Sequence, residues 1–156
     1  MRIGHGYDAH RFCIGKALVL GGVTVPSEEG LLAHSDGDVL LHALMDALLG
    51  AAGERDIGYQ FPPSDNAYKN IDSRILLKEV AAILEKKNLT VEYADMTIVA
   101  QKPKLSPYIE AMRASVAEVL EIPVDRVNVK ATTEEKMGFT GRGEGISAHA
   151  VCLLGE

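Results

Sequence analysis

The sequence predicts an α+β fold, a two-layer sandwich with a mixed β-sheet and helices packed on one face. Two observations carry this. Short apolar or alternating runs of strand length recur at both ends and in the second half of the chain. Long leucine- and alanine-rich stretches of helical length lie between them. No repeat, low-complexity tract or linker interrupts the 156 residues, so 1–156 reads as one domain.

The elements follow in order. Met1 to Tyr7 reads as a strand, with Ile3, His5 and Tyr7 on one face and Arg2, Gly4 and Gly6 on the other. Ala17–Leu20 and Val23–Val25 flank Gly21-Gly22, a hairpin whose turn needs positive φ. Asp38 to Ala52 is helical and apolar almost all round, as a buried helix is, with Ser35 or Asp36 as its cap. Arg74 to Lys87 is amphipathic: Asp72 or Ser73 caps it, Leu76, Val80, Ile83 and Leu84 form its stripe, and Asn88 ends it. Val91 to Ala100 is a strand, and Ser106-Pro107 opens a third helix to Glu121. Val127–Thr132 and Ile146–Leu154 close the list of strands. Gly53 to Ser73 and Glu134 to Gly145 read as irregular connections, the first long enough to suspect function.

Composition narrows the function class. Hydrophobic residues make up 47% and charged residues 24%, which excludes a disordered or collagen-like chain. A net charge of −6 disfavours nucleic-acid binding, so an anionic ligand must be met by local cations, a metal or helix N-termini. The two cysteines, Cys13 and Cys152, lack C-x-x-C spacing and read as free thiols. No apolar signal segment or membrane span is apparent, and the expectation is a cytoplasmic protein without a membrane partner.

The candidate chemistry starts at Asp8-x-His10, where i and i+2 point the same way from a strand. His42 lies in the apolar helix, on one stripe with Asp38 and Asp46. Two histidines and one aspartate suit zinc with an open fourth position, and Asp46 is placed to orient the imidazole. A hydrogen-bonded core histidine is the plainer alternative on spacing alone. His34-Ser35 lacks a nucleophile-elbow context, which favours a cap for Ser35 and an anion contact for His34. Asp56-Ile57-Gly58 and Phe61-Pro62-Pro63-Ser64-Asp65 read as turns, though a carboxylate beside a glycine amide also suits a diol such as ribose. The run from Ala100 through Gln101, Lys102, Pro103, Lys104 and Leu105 to Ser106 is a proline-stiffened turn. Thr132-Thr133-Glu134-Glu135, at a strand end, offers oxygen ligands to a phosphate-bound hard cation.

Taken in order, Gly6 to Phe12, His34 to Asp38 with His42, Asp56-Ile57-Gly58 with Phe61-Pro62, Lys102 to Leu105, and Thr132 to Gly145 resemble one known set of motifs. The chain resembles the 2-C-methyl-D-erythritol 2,4-cyclodiphosphate synthase family of the non-mevalonate isoprenoid pathway over essentially its whole length. The resemblance implies conversion of 4-diphosphocytidyl-2-C-methyl-D-erythritol 2-phosphate to the cyclic diphosphate with release of CMP. It implies Asp8, His10 and His42 as ligands of one zinc ion per subunit, and Glu135 as ligand of a second cation, Mg²⁺ or Mn²⁺. His34 and Thr133 match positions that stabilise the transition state. Asp56 and Gly58, with Ile57 between them, match the ribose contacts, and Ala100 to Ser106 match the cytosine pocket. Ser35 and the stretch Phe61, Pro62, Pro63, Ser64 and Asp65 match the methylerythritol side, and Thr132 to Glu135 the diphosphate. The resemblance further implies a homotrimer with sites between subunits and a central cavity that takes isoprenoid diphosphates near Phe139, Arg142 and Glu144. Glu134 departs from the threonine of many members, adding charge beside the second cation. Two rival readings stay open on the residues: a zinc phosphohydrolase using the same triad, and a binding module with a structural metal closed by His5 or His149.

Overall fold

The computed structural model describes residues 1–156. The elements run β1 (Arg2–Cys13), β2 (Leu18–Leu20), β3 (Val23–Val25), β4 (Gly30–Leu31), α1 (Val39–Ala52), α2 (Ile57–Gln60), α3 (Ser73–Lys86), β5 (Thr90–Val99), α4 (Ile109–Leu120), β6 (Val127–Thr132), α5 (Gly138–Gly141) and β7 (Gly145–Gly155). The main sheet has the order β4-β1-β7-β5-β6. Strand β7 is antiparallel to both β1 and β5, and β5 is parallel to β6. This is a mixed sheet, and the α+β expectation holds. No helix is long and apolar enough to cross a membrane. Cys13 and Cys152 are both free.

Alternation shows which face carries the helices. On β7, Ile146, Ala148, Ala150, Cys152 and Leu154 are buried, while His149 and Val151 between them are exposed. The buried face packs on α1, whose leucines and alanines are enclosed almost all round, as its apolar composition predicts. Strand β1 comes closest. A Cβ on Gly4 would stand 1.9 Å from the Ala47 carbonyl oxygen, and one on Gly6 would stand 1.8 Å from that of Ala43. Ala43, Ala47 and Ala51 repeat every four residues and form the stripe that receives these glycines. Two small-residue surfaces thus let a strand backbone rest directly on a helix backbone.

Several expectations change in detail. Strand β1 does not stop at Tyr7. It continues to Cys13, because β7 pairs with it as far as Arg11 and β4 pairs with Phe12 and Cys13. The two-residue β4 was not apparent in the sequence. The Gly53–Ser73 connection contains the one-turn α2 and a 3₁₀ turn at Asn66–Tyr68, and the Gly-rich run contains the one-turn α5. The third helix begins as a 3₁₀ turn at Ser106–Tyr108 and becomes α4 only at Ile109.

The cap of α1 is Asp38, not Ser35 or Asp36. Its carboxylate accepts from Leu41 N–H at 3.0 Å, from Gly21 N–H at 2.9 Å and from Gly22 N–H at 2.7 Å. One fully buried side chain therefore ends the helix and clasps the β2–β3 turn, where both glycines have positive φ. Burial, and then the neighbouring Asp36 charge, raise its pKa to about 6, against the pull of the three amides. The native state thus holds this proton more tightly than the unfolded chain does. The stability associated with Asp38 is full below about pH 4 and declines as pH rises to about 6. Asp38→Ala strands three amides and is expected to cost roughly 2–3 kcal/mol, part of the loss being offset by removal of a buried charge. Asp38→Asn is expected to flatten the stability profile between pH 4 and 6. Chemical denaturation of both variants across that range checks the two expectations.

Candidate active site

The face of β1 that bears Gly4 and Gly6 also bears Asp8 and His10, by the two-residue period of a strand. His42 stands in the first turn of α1, ahead of the alanine stripe. Seating the glycines on the alanines therefore delivers Asp8 and His10 to His42. Asp8 Oδ2 lies 2.9 Å from His10 Nε2 and 3.0 Å from His42 Nδ1, and the two nitrogens are 3.1 Å apart. This is the one cluster of three such side chains in the chain with ligand atoms placed to share an ion.

The donor set fits zinc. Tetrahedral bonds of ~2.0–2.1 Å place ligand atoms about 3.3 Å apart, a few tenths of an ångström more than seen here. Small side-chain rotations supply the difference. One carboxylate and two imidazoles also leave a fourth direction free. Burial alone raises the pKa of Asp8, but hydrogen bonds and charge from His10 and His42 outweigh it and hold the carboxyl well below its usual range. Burial opposes charge on His42, yet Asp8 prevails and raises that imidazole.

The triad lines a cleft of about 260 Å³ together with His34, Ser35, Ile57, Gly58, Phe61 and Pro63. Lys16 Nζ donates to the carbonyls of Ala33 and Ser35 and so steadies the turn that carries His34. His34 Nε2 contacts the Asp65 carbonyl at 3.1 Å, joining that turn to the Phe61–Asp65 stretch. Asp56 caps α2 by accepting from Tyr59 N–H at 2.8 Å. Asp65 caps the following 3₁₀ turn through Ala67 N–H at 2.9 Å. The expected turn chemistry is therefore present at both aspartates. Phe61 is buried edge-on against Tyr68, which also lines the cleft.

Two expectations about the helix stripe do not hold. Asp46 does not support His42; it accepts from Ile57 N–H at 2.8 Å and anchors α2. Asp38 faces the hairpin, as described above. The partners of His42 are instead hydroxyls, Ser35 Oγ at 3.1 Å and Ser73 Oγ at 3.0 Å from Nε2. In the sequence Ser73 reads as a helix-cap candidate, and nothing in the linear spacing pairs it with His42. His5 and His149 lie 3.3 Å apart on the exposed face of the sheet, opposite the triad, and do not close its coordination.

The remaining candidates gather elsewhere. Because β1, β5 and β6 run the same way, the loops after β5 and β6 leave the sheet at the edge where the triad sits. Three strand spacings, roughly 14 Å, separate β1 from β6. Gln101, Lys102, Pro103, Lys104, Lys136 and Arg142 line a second cleft of about 780 Å³. Ala100 N–H donates to the Thr132 carbonyl at 3.0 Å, and Lys136 N–H to Gln101 Oε1 at 3.1 Å. These bonds tie the Ala100–Ser106 loop to the Thr132–Glu135 loop. Glu135 and Lys136 both hold positive φ, an uncommon backbone for such residues. Within one chain Thr133 and Glu135 are not brought to the triad.

Residues 1–155 match the YgbB family. A 2-C-methyl-D-erythritol 2,4-cyclodiphosphate synthase from Pseudomonas putida strain W619 is 63% identical over 154 residues, spanning 99% of this chain and 98% of the relative. The Pseudomonas aeruginosa strain UCBPP-PA14 synthase is 62% identical over the same shares. A solved 2C-methyl-D-erythritol-2,4-cyclodiphosphate synthase in a CDP-bound form has a TM-score of 0.90 at 37% identity, covering 99% of this chain and all of that one. The bifunctional IspDF from Campylobacter jejuni has a TM-score of 0.95 at 42% identity over 98% of this chain, which spans 42% of that longer protein. Matched in sequence and in fold over nearly its whole length, the chain belongs to the YgbB family.

Proposed function

We propose that this protein is a 2-C-methyl-D-erythritol 2,4-cyclodiphosphate synthase, a phosphorus–oxygen lyase of the non-mevalonate isoprenoid pathway. The observation that carries this is the Asp8–His10–His42 triad opening into a cleft, in a chain 63% identical to a synthase of that name. The substrate is 4-diphosphocytidyl-2-C-methyl-D-erythritol 2-phosphate. An oxygen of its 2-phosphate bonds to the β-phosphorus, the bond from that phosphorus to the bridging oxygen breaks, and CMP leaves with the bridging oxygen. Water is not consumed, so the protein's task is positioning and charge stabilisation.

Asp8, His10 and His42 hold the zinc. When bound, it supplies a Lewis acid and a template for phosphate oxygens. His34 and Thr133 stabilise the charge that develops on the diphosphate. Asp56 and Gly58 receive the ribose, with one Asp56 oxygen engaged in capping α2 and the other oriented by it. The Ala100–Ser106 loop receives cytosine, held rigid by its bonds to the Thr132–Lys136 segment. Glu135 carries the second cation, Mg²⁺ or Mn²⁺.

The separation of the two clefts supports a site shared between copies. The outer sheet face supports the same reading, because Ile3, Tyr7, Tyr93 and Val151 stand 41% to 74% exposed on it, beside His5 and His149. The assembly is a homotrimer, with the triad of one chain facing the β5–β6 loops of the next. Phe139 and the exposed Arg142–Glu144 ion pair, 2.9 Å, would face a central cavity suited to an isoprenoid diphosphate. The protein acts in the cytoplasm. Sedimentation is expected to give three chains per particle. Incubation with substrate is expected to release CMP and cyclic diphosphate in equal amounts; CMP with only a linear product would overturn the assignment.

A further inference from the structure

We propose that Ser73, held by Asp36, is a positioning residue that fixes the ring and tautomer of His42 and thereby sets the metal affinity of the triad. This inference rests on the triad being a metal site. Ser73 is fully buried at the start of α3. Its Oγ lies 2.6 Å from Asp36 Oδ1, and its amide donates to Asp36 Oδ2 at 3.0 Å. A carboxylate only accepts, so the Ser73 hydroxyl proton belongs to Asp36. The hydroxyl oxygen is then left as an acceptor, 3.0 Å from His42 Nε2. His42 must donate from Nε2, so the proton that Nδ1 shares with the Asp8 carboxylate at 3.0 Å is the one that would be given up when Nδ1, also 3.1 Å from His10 Nε2, serves as a ligand. The short hydrogen bond to Asp36 makes the serine oxygen more basic, which in turn strengthens the donor power of the ring toward a metal.

Ser35 cannot set the tautomer in this way. Its oxygen accepts from Gly37 N–H at 3.3 Å, and its hydroxyl proton has no committed carboxylate. It can therefore serve either form of the ring. Asp36 is itself locked, since it also accepts from Asp38 N–H at 3.0 Å. The relay thus connects the α1 entrance, the α3 entrance and the triad in one line. It occupies the place that Asp46 was expected to fill on helical spacing.

The test compares wild type with Ser73→Ala and Ser35→Ala. Zinc affinity is read by competition with a chromophoric chelator, and the His42 Nε2 proton is read by nitrogen-15 NMR of the zinc-loaded protein. Ser73→Ala is expected to weaken zinc binding roughly 10–100-fold and to expose the Nε2 proton to fast exchange. Ser35→Ala is expected to weaken it less. Unchanged affinity in a folded Ser73→Ala, to within about twofold, with a protected Nε2 proton, would overturn the inference. If that variant does not fold, wild type alone decides: a zinc-loaded protein without a slowly exchanging His42 Nε2 proton contradicts it. A wild type that takes up no zinc overturns the metal reading itself, which the chelator experiment reports separately.

Discussion

His42→Ala is expected to leave a folded protein without zinc and to lower CMP release by at least roughly 10³-fold. A Lewis acid at a transferring phosphoryl group supplies several kcal/mol, and each ~1.4 kcal/mol is a tenfold change in rate. Asp8 and His10 would remain as two ligands on one strand, too few to hold zinc at working concentrations. The fold should survive, because α1 is anchored by the buried Leu40, Leu41, Leu44, Leu48 and Leu49, none of which depends on the imidazole. Metal analysis, circular dichroism and a CMP assay on one preparation check the three parts together. Retention of stoichiometric zinc by the variant would contradict the ligand assignment. Loss of the fold along with the metal would favour a structural ion.

Gly6→Ala is expected to be the most damaging single change for stability, on the order of 4 kcal/mol or more. The added methyl would lie 1.8 Å from the Ala43 carbonyl oxygen, which is helix backbone and cannot rotate away. Strand β1 would have to lift from α1, or α1 would have to shift. Either movement also parts Asp8 and His10 from His42, so any folded fraction should bind zinc more weakly. Gly50→Ala is the matched control. A Cβ there meets nothing within 4 Å, and alanine in a helix is favoured over glycine by roughly 0.5–1 kcal/mol. Denaturation of the two variants should move the midpoint in opposite directions. A Gly6→Ala protein as stable as wild type would contradict the account of how the strand and helix meet.

Much of this was legible in the residues. The strands over 127–132 and 146–154, the Gly21-Gly22 hairpin and the Asp72-capped helix all rest on local signals, and they lie where those signals put them. The Asp8-x-His10 pair was legible because a strand's period is local. What the sequence did not show is what depends on close approach across the chain. His42 meets Ser73 across 31 positions. Asp38 meets Gly21 and Gly22 across 17 and 16. Helical spacing put Asp38 and Asp46 beside His42 in projection, yet each carboxylate turned to nearby unpaired amides, which are the stronger local demand for a buried acceptor. Residue type and local spacing singled out Asp8, His10 and His42 as a ligand set, the resemblance to known motifs made it specific, and the geometry supplied its supporting hydroxyls.

An intramolecular cyclisation at the Asp8–His10–His42 centre leaves no place for water in the bond-forming step. Phosphorus-31 spectroscopy of the zinc-loaded protein turning over substrate in water enriched in oxygen-18 tests it most directly. The expected products are an eight-membered cyclic diphosphate and CMP, neither carrying the isotope. Isotope in either phosphate product would identify water as the nucleophile and contradict it.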